Sequence, residues 1–476
     1  MNSSLDGLFC PRSVAVAGAS PDKSGQLFLD SILASGFKGE VYAINSGGRE
    51  VSGLQAYADV KDIPGPVDYV ISCIPAPAVP GLVKDCAAKG VKTLSLFTAG
   101  FSESGTEEGR RLEAEVARLA GETGVRVIGP NCLGIYSPGI GLSFTSDFPM
   151  ESGRVAFVCQ SGGNSVYTTR AAAYRGVRFS KVISYGNACD LNECELVEYL
   201  AQDPETGIVG IYIEGVKDGP RFLRALRKLA EDKPVVVLKG GHTEAGAWAA
   251  ASHTGSLAGS NRVWDELLRQ AGAIRVYSLE ELVDVLVTLA LLPPITGRRV
   301  GIFGGGGGAS VVGTDEWASF GFSLPPLPQP VKEELATLVP TQAGLILGNP
   351  LDLSSFAYSE GFYNLVKRLL AYEGFVDLSV IHIGFGQAAW FSCSAFESEI
   401  DFFRNAITKI RGEVDQPLIL VMQYLITGWD WQKGIEDLQR GCAEAGIPVY
   451  HSMTGAARAI DRVVRYYEKR AAVVTV

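Results

Sequence analysis

The chain has 476 residues, of which 47% are hydrophobic and 20% charged. That length exceeds one compact core and predicts roughly three domains at ~150 residues each, and the apolar content excludes a disordered profile. A net charge of -10 without a long Lys/Arg run excludes a nucleic-acid partner or an anionic membrane surface, so any phosphate must be bound by local features.

From residue 13 to about 145, short apolar runs alternate with helical patterns: Ser13 to Gly18, Val41 to Asn45, Val67 to Ile74, Thr93 to Phe97 and Val125 to Gly129. Most are rich in β-branched residues and each ends at or beside Gly, Pro, Ser or Thr, the signature of a doubly wound parallel sheet. A second set runs from Gly153 to Val158 through Phe179 to Ser184 and Ile208 to Ile213, ending at Pro234 to Lys239. A third holds Arg299 to Phe303, Leu378 to Ile383 and Pro417 to Val421. Three α/β domains are therefore expected, over residues 1–148, 149–294 and 298–476, with Leu292 to Arg298 as the best linker.

The nine cysteines form neither a C-x-x-C pair nor a Cys/His cluster, which predicts reduced thiols and no metal site. Residues Met1 to Asp6 lack the basic flank and apolar core of a secretory signal, and stretches such as Val285 to Leu292 are too short to cross a bilayer. A cytoplasmic protein with no membrane association is the expectation.

In open α/β sheets ligands bind beyond the carboxyl ends of strands. After the first strand, Gly18-Ala19-Ser20 opens a Gly/Ser turn that can face a nucleotide phosphate. It lacks the full G-x-G-x-x-G, and Asn45 stands where an acidic ribose ligand belongs, which disfavours ordinary NAD binding. Pro75, then Thr98-Ala99-Gly100, then Asn131 follow at later strand ends, where turn tightness alone or an open ligand crevice would account for them.

Four further features carry chemistry. Ser161-Gly162-Gly163 opens the helix after the first strand of the second set, as a phosphate ligand or as a plain cap. Cys159 stands where a G-x-S-x-G nucleophile elbow needs its first glycine. Glu214 directly follows a strand, where it can orient an imidazole or be a surface carboxylate. The run Gly304 to Gly308, with Gly306, Gly307 and Gly308 leading into a helix, invites backbone contact with an anion. His253, one of four histidines, sits in Ala251-Ser252-His253-Thr254-Gly255-Ser256-Leu257-Ala258-Gly259, upstream of a helical pattern from Asn261 to Gly272. Neutral imidazole there is either a nucleophile toward phosphorus or an ordinary turn histidine.

Taken in order, Gly129 to Gly134, Gln160-Ser161-Gly162, Ser184-Tyr185-Gly186-Asn187 with Asp190, and Ala251 to Gly259 resemble the NDP-forming acyl-CoA synthetases of the succinyl-CoA synthetase superfamily, in the branch of ADP-forming acetate-CoA ligases. The resemblance covers nearly the whole chain. It implies an N-terminal Rossmann-like CoA-binding domain followed by two flavodoxin-like ligase domains. It further implies that His253 is the phosphorylated nucleophile oriented by Glu214, and that phosphate is held by Ser161, Gly162 and Gly163 and by Gly306 to Gly308. Coenzyme A would lie along Gly18, Ala19, Ser20, Asn45, Pro75, Thr98, Ala99, Gly100 and Asn131.

The implied reaction interconverts acyl-CoA, ADP and phosphate with a small carboxylic acid, CoA and ATP through an acyl phosphate. Nothing after Gly297 resembles the ATP-grasp domain this family needs, so an ATP-grasp beta subunit carrying ADP or ATP with Mg2+ is the expected partner. The chain also departs from the family's Thr-Asn before and Pro-Gly after the glycines of the third domain, having Gly304-Gly305 and Ala309-Ser310. A stand-alone acyl-CoA-processing enzyme using His253 and a non-catalytic CoA-binding regulator are the alternatives. Retention of both His253 and Glu214 argues against the regulator.

Overall fold

The structure is a computed structural model that describes residues 5–248, 260–304, 306–338, 346–352, 360–385, 393–424 and 432–474; His253 and Gly305 lie outside them. The first sheet comprises β1 (Ser13–Ala17), β2 (Glu40–Ile44), β3 (Ala56–Tyr57), β4 (Tyr69–Ser72), β5 (Thr93–Leu96) and β6 (Arg126–Ile128). All neighbours are parallel, in the order β3-β2-β1-β4-β5-β6 of the Rossmann fold. β1 is buried along its whole length because helices cover both faces of a parallel sheet, and this is why it reads as a continuous apolar run.

The second sheet contains β7 (Gly134–Tyr136), β8 (Val155–Cys159), β9 (Phe179–Ser184), β10 (Ile208–Ile213), β11 (Val235–Lys239) and β12 (Ile274–Val276). Its order is β12-β11-β10-β8-β9-β7, a flavodoxin-like arrangement extended by β7, which runs antiparallel to β9. A third, four-stranded parallel sheet joins β13 (Val300–Gly304), β14 (Leu378–Phe385), β15 (Leu418–Tyr424) and β16 (Val449–Tyr450) in sequence order. The chain is thus α/β throughout, built on predominantly parallel sheets.

Four strands were not anticipated: β3, β7, β12 and β16, each of two or three residues and each at a sheet edge. An edge strand pairs on one side only and can be short, so it leaves no apolar run to read. The helix expected from Asn261 spans Asn261–Ala271 and stops at Gly272, whose φ of 76° is left-handed.

Contacts divide the chain into two compact units, Met1–Ala173 with Arg178–Leu282, and Tyr174–Val177 with Val283–Val476. The first unit holds the first two sheets. Under the first sheet, Ala15, Val70, Leu94 and Val127 pack against Val79, Val83, Leu112 and Val116. Burying each of these Val and Leu side chains contributes about 1.5–3 kcal/mol.

Candidate active site

Strand order reverses between β1 and β4 in the first sheet and between β8 and β10 in the second, and a cavity opens at each reversal. At the first, Gly18 has φ of +85°, and a Cβ there would lie 2.9 Å from the backbone C and O of Cys73. Only glycine lets the two strand ends approach this closely. The amides of Gly18 and Ala19 both donate to the Ile44 carbonyl, at 3.0 and 3.1 Å. What the turn offers an anion is therefore the start of the helix Ser24–Ala34, whose N-cap Lys23 makes no side-chain capping bond.

Asn45 braces this turn. Its Nδ2 donates to the Ala19 carbonyl at 2.8 Å and to Ser20 Oγ at 3.1 Å, while its Oδ1 accepts from the Gly47 amide. Thr98 plays the same part next door, its hydroxyl donating to the Ile74 carbonyl at 2.7 Å. Gly18, Ser20, Asn45 and Pro75 line a cavity of about 570 Å³. Pro75, Thr98, Ala99 and Asn131 line a second, of about 730 Å³, which shares Ser24, Cys73 and Ile74 with the first. Ala19 is fully buried behind the turn, and Gly100, at φ +102°, donates its amide to Glu103 Oε1 at 2.6 Å; neither lines these cavities.

Two loops stitch the sheets together. The Pro130 carbonyl accepts from the Asn187 amide at 3.0 Å, and the Gly129 carbonyl from the Cys189 amide at 2.9 Å. A Cβ on Gly186 would sit 2.1 Å from the Pro130 carbonyl oxygen, which fixes glycine there. Asp190 reaches back to accept from the Val127 amide at 2.7 Å and from Arg126 Nε at 3.0 Å. Asn131 and Asn187 thereby come to one wall of the larger cavity.

The opposite wall is the second reversal. Ser161 precedes the helix Gly162–Tyr174 and caps it, its Oγ accepting from the Asn164 amide at 3.3 Å. Gly163 has open space where a Cβ would go, so packing does not demand glycine. Glu214 follows β10 and is 5% exposed. Its amide donates to Gln160 Oε1 at 2.8 Å, and its Oε1 accepts from the Tyr212 hydroxyl at 3.0 Å. Glu214 Oε2 is buried and has no hydrogen-bond partner among the described residues.

Ser161, Gly162, Gly163 and Glu214 all line the 730 Å³ cavity, whose described lining contains no Lys, Arg or His. An anion there would rest on backbone amides and the positive end of a helix. Burial pushes the Cys73 and Cys132 thiols in the same wall up to about 12, so both are neutral at physiological pH.

Gly306 to Gly308 belong to the second unit and begin the helix Gly307–Ser319, with Gly306 at the N-cap making no side-chain bond. A Cβ at Gly306 or Gly308 would meet nothing within 4 Å, whereas one at Gly304, at φ +108°, would lie 2.3 Å from the His382 carbonyl oxygen. Gly304 serves the fold, and the next glycines leave a helix start open to close approach. Gln160, Tyr212 and Asn187 received no role from the sequence. The pairing of β8 with β10 brings Gln160 to Glu214, and the two-residue spacing of Tyr212 and Glu214 was the available signal for the other contact.

Comparison with known proteins follows the two sheets of the first unit. Residues 12–138 match the CoA binding domain, and residues 152–289 match the succinyl-CoA ligase like flavodoxin domain. The acetate–CoA ligase [ADP-forming] II subunit alpha of Pyrococcus furiosus is 40% identical over 370 residues, covering 77% of this chain and 79% of that protein. The I subunit alpha of the same organism is 30% identical over 475 residues, covering 98% and 99%. Acetate–CoA ligase [ADP-forming] I of Archaeoglobus fulgidus is 35% identical over 97% of this chain, which spans 64% of that relative's length. The solved dinucleotide forming acetyl-coenzyme A synthetase 1 of Ca. Korarchaeum cryptofilum, in complex with phosphate and ADP, superimposes with a TM-score of 0.82 at 31% identity, covering 99% and 98% of the two chains. With strand order, strand-end residues and end-to-end similarity in agreement, the chain belongs to the ADP-forming acetate–CoA ligase family.

Proposed function

We propose that this chain is the CoA-binding, phosphohistidine-bearing subunit of an ADP-forming acid:CoA ligase. It works in the cytoplasm with an ATP-grasp beta subunit that holds ADP or ATP with Mg2+. CoA occupies the first crevice, and phosphate rests on the Ser161 to Gly163 helix start and, at another stage, on Gly306 to Gly308. A phosphate oxygen attacks the thioester carbonyl, the C–S bond breaks, and CoA leaves with the proton as its thiol. A ring nitrogen of His253 then attacks phosphorus, the bond to the acyl oxygen breaks, and the carboxylate departs. The terminal oxygen of ADP finally takes the phosphoryl group from His253. Glu214 accepts the N–H of one ring nitrogen, which leaves the other nitrogen nucleophilic.

The observation that carries this reading is the buried, unpartnered Oε2 of Glu214 in a cavity that shares its wall with the CoA-type crevice. Leaving such an oxygen unpaired costs about 1–3 kcal/mol or more, and an imidazole N–H removes that cost. The names of the two Pyrococcus relatives, each an alpha subunit, support a separate partner.

The test is ATP formation from acetyl-CoA, phosphate and Mg-ADP. The purified chain alone is expected to form none, and the chain with its ATP-grasp partner to form it. Turnover by the lone chain would overturn the two-subunit reading, and none with the partner would overturn the ligase reading.

A further inference from the structure

Tyr212 and Glu214 stand two residues apart at the end of β10, so their side chains leave the same face. The Tyr212 hydroxyl donates to Glu214 Oε1 at 3.0 Å, and Gln160 holds the Glu214 amide at 2.8 Å. These contacts use one carboxylate oxygen and leave Oε2 buried and unpartnered. The phenol is itself confined: a Cβ on Gly240 would come within 2.7 Å of its oxygen. Burial, then the Glu214 charge beside it, raise the phenol above its ordinary range, so it remains a donor at every working pH.

We propose that Tyr212 is a positioning residue for the phosphoryl transfer: by occupying Oε1 it leaves Oε2 as the single oxygen that receives the imidazole N–H. The inference rests on the function proposed above. The terminal torsion of a glutamate is soft, and a carboxylate with both oxygens free accepts through either one from a range of ring orientations. With one oxygen held, the carboxylate has one orientation, and a fixed acceptor selects one tautomer and one ring direction.

The test follows phosphohistidine formation on the full chain with acetyl phosphate as donor, in wild type, Tyr212→Phe, Glu214→Gln and the double variant. Tyr212→Phe is expected to slow labelling roughly 10- to 100-fold, the range for one hydrogen bond to a charged group, with CoA affinity unchanged. In the Glu214→Gln background it is expected to add less than about twofold, because Tyr212 acts through that carboxylate. Gly240→Ala, which drives a methyl against the phenol oxygen, is expected to reproduce the slow labelling with Tyr212 itself unsubstituted.

Wild-type labelling at an unchanged rate in Tyr212→Phe would overturn this inference alone. So would effects of Tyr212→Phe and Glu214→Gln that multiply in full, the mark of an independent structural role. Absence of label in wild type would overturn the proposed function and this inference with it.

Discussion

At the first reversal, between β1 and β4, the polar groups are engaged inside the protein, whereas the second, between β8 and β10, keeps an acceptor in reserve. Asn45 bonds Ala19, Ser20 and Gly47, Thr98 bonds Ile74, and Gly18 is glycine because the Cys73 backbone lies 2.9 Å from any Cβ. At the second, Gly163 has no steric reason to be glycine, and Glu214 Oε2 waits for a donor. The difference fits the roles proposed for the two crevices. A wall whose polar groups bond one another keeps its shape around a large ligand, while a site that handles a reacting group leaves donors and acceptors for it to complete.

The comparison can be broken most decisively at Glu214. Glu214→Gln is expected to lower kcat by about 10²- to 10⁴-fold, the scale for losing a carboxylate that orients a catalytic imidazole, with CoA affinity retained in an equilibrium titration. An active Glu214→Gln enzyme would place the second reversal in the same structural class as the first.

Two glycine substitutions sharpen the contrast further. Gly18→Ala forces a methyl onto the Cys73 backbone at φ +85° and is expected to destabilise the chain by about 1–3 kcal/mol, seen as a lower Tm and weakened CoA binding. Gly163→Ala, within a helix and in open space, is expected to raise stability by about 0.5–1 kcal/mol while the KM for phosphate rises several-fold. Equal losses of Tm in the two variants would erase the distinction. The smallest effect belongs to Asn45→Ala. Removing its bonds to Ala19 and Ser20 loosens the turn, and CoA affinity is expected to fall about three- to tenfold, read by calorimetry.

Interior strands were legible in the sequence because burial on both faces makes them continuous apolar runs, as in Val155–Cys159 and Val235–Lys239. Edge strands such as Gly134–Tyr136 were not, since three residues paired on one side carry no such signal. The strand-end positions of Glu214 and Ser161 were readable because topology alone puts strand ends at a ligand crevice. Gln160 was not, because its contact with Glu214 spans 54 residues and exists only once β8 and β10 pair. Asn45 was named as a CoA contact by the family resemblance, and its amide holds the turn that lines the cavity.

The most direct test of the account is incubation of the full chain with acetyl phosphate, followed by mass spectrometry for acid-labile phosphate. One phosphoryl group is expected on His253 in wild type and none in His253→Ala. An unlabelled wild type, or the same label in His253→Ala, would contradict it.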